Sequence, residues 1–241
     1  DYETVNITSQ GGANTVASLT STDMTTLNVA GDKALTVSAL TAAGLNTVNA
    51  STSTANVNVA ALTLASTITG GSGNDTFTGG GNADVITGGA GADTLGGGGG
   101  NDSVTGDAGN DQITGGAGND TLVGGDGNDT FADAALNVES VDGGAGDDTF
   151  TIATTSTLTS ADTISGGDGT DTILFSEANA NIDLTADVAA LTNVTGVERF
   201  QISGMDGSDT LTVNDGVISA AGGNLTVSFT SNVSGANTVN A

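Results

Sequence analysis

Gly70-Gly71-Ser72-Gly73-Asn74-Asp75-Thr76-Phe77-Thr78 is the first copy of a nine-residue phrase that repeats without a gap as far as Ala132, with copies beginning at Gly70, Gly79, Gly88, Gly97, Gly106, Gly115 and Gly124. Each copy has a glycine-rich first half, an aspartate at its sixth position and a large apolar residue at its eighth. The aspartates are Asp75, Asp84, Asp93, Asp102, Asp111, Asp120 and Asp129, and the apolar series is Phe77, Ile86, Leu95, Val104, Ile113, Leu122 and Phe131. A short fixed period marks a repeat architecture, in which each copy is a unit stacked on the next. An alternating strand turns the eighth residue inward and the seventh and ninth, mostly threonine, outward. The first six positions must then bend the chain sharply, and glycine supplies the positive-φ backbone that other residues resist. Two phrases complete one coil of eighteen residues, with the turns on two opposite edges.

Alternate copies align Asp75, Asp93, Asp111 and Asp129 on one edge and Asp84, Asp102 and Asp120 on the other. Neighbours in a row stand one coil apart, roughly 4.8 Å, the strand spacing of a sheet. Two bare carboxylates at that distance repel by roughly 3–4 kcal/mol at an effective dielectric near 20. The core cannot offset this easily, because only one side chain per phrase is large and apolar. At roughly 25 cal/mol per Å² such a stripe yields a few kcal/mol per coil, against about 1–2 kcal/mol per residue for ordering the backbone. The central segment is not expected to fold unaided. A hard divalent cation resolves the conflict: calcium accepts six to eight oxygen ligands with forgiving geometry. The turns offer carbonyl oxygens, the aspartates add charge, and an ion that binds only the folded chain contributes its binding free energy to folding.

Composition bounds the remaining possibilities. The chain has 28 acidic residues against two basic ones, Lys33 and Arg199, for a formal charge of −26. Such a surface repels nucleic acid and anionic lipid, both of which need clustered Lys and Arg. No histidine or cysteine is present, which excludes a zinc-protease helix, a Ser/His/Asp triad and a thiol nucleophile. Paired carboxylates could still hydrolyse glycosides, but acids already committed to metal ions are poorly placed for it, and no enzymatic role is expected. No apolar run is long enough to span a membrane as a helix, and no signal peptide opens the chain, which reads as a slice of a longer protein. Asparagine sequons at Asn128, Asn193 and Asn224 read as by-products of a Thr- and Asn-rich composition.

Residues 1–69 have a different texture, Thr/Asn-rich with alternating aliphatics. Thr4-Val5-Asn6-Ile7 recurs as Thr26-Leu27-Asn28-Val29 and Thr47-Val48-Asn49-Ala50, at offsets of 22 and 21 residues, which suits about three coils of a β-solenoid. Residues 70–132 hold the nonapeptides. Residues 133–241 mix both textures, with full copies at Gly143 to Thr151 and Gly166 to Leu174 and a degraded one at Gly204 to Thr212, whose aspartates are Asp148, Asp171 and Asp209. A single helical turn is expected at Ala186 to Leu191. No proline-rich linker separates the three zones, so one continuous rod is the simpler organisation.

The nonapeptides resemble the RTX (repeats-in-toxin) family. The resemblance implies an all-β fold, a right-handed parallel β-solenoid or β-helix with a central calcium-binding RTX β-roll. It also implies Ca2+ ions held between turns of successive coils by aspartates and backbone carbonyls from both, at least five in the central run. Carried over position by position, the metal ligands are Asp75, Asp84, Asp93, Asp102, Asp111, Asp120, Asp129, Asp148, Asp171 and Asp209. They are joined by carbonyls of turn residues such as Gly70, Ser72, Gly88, Ala90, Gly97, Gly99, Gly106, Ala108, Gly115 and Ala117. Asn82 and Asp107 replace turn glycines, and Asp206 and Ser208 depart from the pattern in the last copy; weakened sites are expected there. The flanking phrases Thr25 to Gly31 and Gly196 to Phe200 are similar to the body of bacterial surface-layer (S-layer) proteins. That likeness implies type I secretion, folding in extracellular calcium, and self-association into a lattice on the surface of a Gram-negative-type bacterium. A repeat segment of a large type I-secreted RTX adhesin is the alternative, and the calcium domain of a secreted protease or lipase a third. The ice-binding kind of adhesin is disfavoured, since the third position runs Ser72, Gly81, Ala90, Gly99, Ala108, Ala117 and Asp126 rather than holding a rank of threonines.

Overall fold

The computed structural model describes residues 3–59, 62–133, 139–152, 161–176, 182–183, 193–202, 210–212, 226–229 and 238–240. These form an all-β solenoid of parallel strands. One ten-stranded sheet runs through Glu3–Ser9, Met24–Gly31, Thr47–Ser53, Thr67–Thr69, Val85–Ala90, Ser103–Ala108, Thr121–Asp126, Ser140–Ala145, Thr163–Asp168 and Val194–Thr195. An eleven-stranded sheet runs through Asn14–Val16, Leu35–Val37, Val57–Val59, Thr76–Thr78, Thr94–Gly99, Gln112–Ala117, Thr130–Asp133, Thr149–Ile152, Thr172–Phe175, Arg199–Ile202 and Thr226–Phe229. Among the described residues from Glu3 to Ile202 the chain passes between the two sheets and visits each once per coil. Leu19–Ser21 pairs with Leu40–Ala42 as a small third face, and Ile182–Asp183, Thr210–Thr212 and Thr238–Asn240 make another.

Register follows the repeated phrases. Val85 pairs with Ser103 and Ser103 with Thr121, one coil of eighteen residues each time. Upstream, Thr4 pairs with Thr26 and Thr26 with Thr47, which lays the three Thr-x-Asn phrases side by side. Downstream the coils lengthen: Thr130 pairs with Thr149, Thr149 with Thr172 and Thr172 with Arg199. Both sheets pass through 70 and 132 without a break in strand order.

The apolar eighth positions make two ladders. Ile68, Ile86, Val104, Leu122, Val141, Ile164 and Val194 are paired in turn along the first sheet. Phe77, Leu95, Ile113, Phe131, Phe150, Ile173 and Phe200 are paired along the second. All of these side chains are buried. The ladders meet: Leu122, Val141 and Ile164 from one sheet and Phe131, Phe150 and Ile152 from the other line one void of about 20 Å³. Phe131 and Phe150 stack with ring centres 5.1 Å apart, a favourable offset geometry for parallel rings. In the nonapeptide coils the core is as thin as the sequence predicts, one large apolar residue per phrase.

The helical turn expected at Ala186 to Leu191 lies outside the described residues. So does the degraded copy at Gly204 to Thr212, Asp209 included, apart from the strand Thr210–Thr212.

Candidate metal centre

Position six faces inward. Asp75, Asp84, Asp93, Asp102, Asp111, Asp120, Asp129, Asp148 and Asp171 are all buried, at 3 % exposure or less. An ionised carboxylate is costly to bury without compensation, so the partners of each oxygen decide what the site can do.

One oxygen is compensated by the backbone of the preceding coil. The Asp75 N–H donates to Asp93 Oδ1 at 2.6 Å, Asp93 N–H to Asp111 Oδ1 at 2.7 Å, and Asp111 N–H to Asp129 Oδ1 at 2.8 Å. Asp129 N–H continues to Asp148 Oδ1 and Asp148 N–H to Asp171 Oδ1, both at 2.8 Å. On the other edge Asp84 N–H donates to Asp102 Oδ1 and Asp102 N–H to Asp120 Oδ1, again at 2.8 Å. Asp148 and Asp171, read from the sequence as isolated copies, therefore join the row begun at Asp75.

The second oxygen is different. Oδ2 of Asp93, Asp102, Asp111, Asp129, Asp148 and Asp171 is buried and receives no hydrogen bond. It lies over the position-one glycine of its own phrase, where the position-one carbonyl of the next coil also arrives. A methyl group added to Gly106 would overlap Asp111 Oδ2 and come within 2.7 Å of Gly124 O. The same convergence joins Asp93 Oδ2 with Gly106 O at Gly88, and Asp102 Oδ2 with Gly115 O at Gly97. Glycine is required here because the space belongs to oxygen atoms.

Electrostatics agree with the geometry. Burial, reinforced by neighbouring carboxylates and opposed by the N–H donors, raises the Asp93 and Asp129 carboxyls from an ordinary 3.8 to about 7. Asp102 and Asp148 rise to about 6 for the same first cause, and Asp75, Asp111 and Asp171 move the same way. Negative charge on the rows is therefore opposed in the metal-free fold, as expected where a positive partner belongs.

The first two phrases depart from this pattern. Asp75 Oδ2 and Asp84 Oδ2 accept hydrogen bonds from the Gly71 and Gly80 N–H groups at 2.8 Å. From Gly88 onward the second and fourth turn positions take positive φ, as at Gly89 and Gly91, and Asp107 adopts φ 75 at the second position, a left-handed backbone that aspartate tolerates better than most non-glycine residues. Asn82 does not share that backbone. Among the carbonyls singled out from sequence, those of Gly88, Gly97, Gly106 and Gly115 arrive over the same position-one glycine as the aspartate of the preceding coil. Ala108 O and Ala117 O each accept an inter-coil N–H, from Gly91 and Gly100, at 2.8 Å. Ala90 pairs with Ala108 and Gly99 with Ala117 on the ladder, Gly70 is buried in the first turn, and Ser72 lies exposed in it.

Two features escaped the sequence reading. Position five carries a second ladder of opposite sense: Asn101 Oδ1 accepts from Asn119 N–H at 3.1 Å, Asn110 Oδ1 from Asn128 N–H at 2.9 Å, and Asn128 Oδ1 from Asp147 N–H at 2.9 Å. The recurring Asn-Asp dipeptide was its signal. In addition, Glu139, Asp162 and Glu198 take position-six places in coils that lack the nonapeptide turn ahead of them. Glu139 N–H donates to Asp162 Oδ1 at 3.0 Å, and Asp171 N–H donates to Glu198 Oε2 at 2.9 Å. Each stands two residues before a buried apolar side chain, Val141, Ile164 and Phe200, which is half of the phrase without its turn.

The donor set fits calcium. It consists of carboxylate and carbonyl oxygens with no nitrogen or sulfur ligand, the preference of a hard cation. Among the described residues no three acidic side chains gather into one cluster, so an ion here would draw on turn carbonyls as well as aspartates. The family model for the RTX calcium-binding nonapeptide repeat matches in four copies, over residues 65–95, 96–131, 139–151 and 157–179. The chain carries RTX calcium-binding nonapeptide repeats. Such repeats bind Ca2+, form a structural rather than a typically catalytic fold, and belong to proteins that are typically secreted and extracellular. No curated protein and no solved structure gave a match.

Proposed function

We propose that this RTX chain is a structural, calcium-stabilised segment of a secreted bacterial surface-layer protein, ordered by extracellular calcium and assembling laterally into a lattice. Asp93, Asp102, Asp111, Asp129, Asp148 and Asp171 would hold the ions with carbonyls of the next coil, and Asp75, Asp84 and Asp120 extend the same rows. Bound calcium supplies positive charge to a buried file of carboxylates and thereby adds its binding free energy to folding. The observation that carries the calcium reading is the set of buried Oδ2 atoms that no donor reaches, each facing a carbonyl from the next coil. The surface-layer reading is supported by the two long sheets that continue through the flanking Thr/Asn-rich coils and by the likeness of those coils to surface-layer bodies. Negative-stain imaging of the protein in calcium tests the proposal. Ordered two-dimensional sheets are expected; isolated filaments would refute the lattice and favour an adhesin segment.

A further inference from the structure

We infer, on the calcium reading above, that Gly196 and Glu198, which lie outside every nonapeptide, close a further divalent-cation site against Gly166 and Asp171 at the end of the longer acidic row. Asp171 is fully buried; its Oδ1 is engaged by the Asp148 N–H at 2.8 Å and its Oδ2 receives no donor. A methyl group on Gly166 would overlap both that Oδ2 and the Gly196 carbonyl oxygen. Two oxygens from segments far apart in the chain thus converge on one glycine, as they do in the regular coils. Glu198 brings a further carboxylate to the same aspartate, near enough for its charge to act on the Asp171 carboxyl. Its Oε2 accepts from the Asp171 N–H at 2.9 Å, the place that the next aspartate fills in every earlier coil of the row.

The register explains how an irregular segment can do this. Ile173 pairs with Phe200 on the second sheet, so Glu198 stands two residues ahead of its buried apolar partner just as Asp171 does. The turn before it is Thr195-Gly196-Val197 instead of a nonapeptide, and Gly196, at φ 66, presents the carbonyl that position one presents elsewhere. The Glu198 charge contributes to raising the Asp171 carboxyl, and Arg199 is exposed. Val-Glu recurs at Val138-Glu139, where buried Glu139 occupies position six of the other row. Such a site ties the strand Arg199–Ile202 to the roll across a coil of 27 residues.

Glu198→Gln keeps an oxygen acceptor for the Asp171 N–H while removing the charge. Calcium stoichiometry by equilibrium dialysis is expected to fall by one ion per chain relative to the unaltered protein. Calcium-dependent hydrogen-exchange protection across 194–202 is expected to drop at least tenfold, with that of 85–126 retained. Unchanged stoichiometry and protection would overturn the inference. Loss of every ion would overturn it too, since Glu198 would then act on the whole fold and not at one site. Glu198→Asp, which retains charge, is expected to keep the ion with weaker affinity; a Glu198→Asp chain as deficient as Glu198→Gln would assign the loss to packing and refute a ligand role. An unaltered chain that binds no calcium at all would instead defeat the parent reading.

Discussion

Acid should partly replace calcium. The folded carboxyls of Asp93 and Asp129 sit at about 7 and those of Asp102 and Asp148 at about 6, above the ordinary 3.8. Between the unfolded and folded values the folded chain binds more protons than the unfolded one, so stability falls as pH rises through this window and returns as pH is lowered. The shift of about three units at Asp93 and Asp129 corresponds to about 4 kcal/mol without screening, and that of about two units at Asp102 and Asp148 to about 3 kcal/mol. Water and ions at the turns reduce this by half or more, leaving about 1–2 kcal/mol per carboxylate. Four such groups supply roughly 5 kcal/mol, a large part of the 5–15 kcal/mol that holds an ordinary domain together. The groups that face Asp93 are Asp75, Asp107 and Asp111, and those that face Asp129 are Asp111 and Asp148. All are acids, so protonation relieves repulsion in the same direction. The assay is far-UV circular dichroism of the metal-depleted chain from pH 7.5 to 5, with light scattering to exclude association as the pH approaches the isoelectric point of 4.1. The β signal is expected to grow on acidification with a midpoint between about 6 and 7, and Asp93→Asn to increase the signal at pH 7.5. A spectrum that stays disordered at pH 5, or that loses β structure on acidification, would show that the buried carboxylates are not what opposes folding.

At neutral pH, excess EGTA is expected to convert the segment around 85–132 from β-rich to largely disordered; a spectrum indifferent to chelation would contradict the ion-dependent fold. Gly106→Ala, whose methyl meets Asp111 Oδ2 and Gly124 O, is expected to cost about 1–3 kcal/mol in calcium and to weaken ion binding. Gly81→Ala, with nothing within 4 Å and no positive φ, should lie within about 0.5 kcal/mol of the unaltered chain. Equal urea midpoints for the two would refute the glycine's role as a cradle.

The fold was legible because its determinants are periodic. A nine-residue phrase with one apolar residue at position eight predicts the coil length, the two facing ladders and the thin core, and Thr4, Thr26 and Thr47 predict their own register. The direction of position six was the harder part. Spacing places the aspartates in rows on the edges, but only the three-dimensional turn shows that they point inward with one oxygen held by the backbone and the other left to a neighbouring carbonyl. Glu139, Asp162 and Glu198 lie outside any whole nonapeptide, so the nine-residue period does not mark them. The acid of position six depends on the apolar residue two places later, not on the glycines before it, and that shorter phrase survives in coils whose turns have changed. The altered turns at Gly71 and Gly80 had no sequence signal beyond Asn82.

A buried carboxylate without a full set of donors violates the rules that make a sequence specify a fold, and such violations concentrate where function resides. Here the violation is also the source of coupling between coils. Asp93 Oδ1 takes the N–H of Asp75 from the coil before, its Oδ2 lies on Gly88 of its own phrase, and the oxygen it faces is Gly106 O of the coil after. Each carboxylate thus touches three consecutive coils, and an ion placed there would stiffen all three. Stability in such a stack is a sum of nearest-neighbour terms, so an interior coil is supported from both sides and a terminal one from a single side. The interrupted coils after Thr130 are where neighbour support would lapse if the acidic rows stopped with the nonapeptides. Glu139 and Asp162 in one row and Glu198 in the other stand at those interruptions, so on the proposed calcium reading these three acids outside the repeat's full pattern would carry the ordered structure past the nonapeptides.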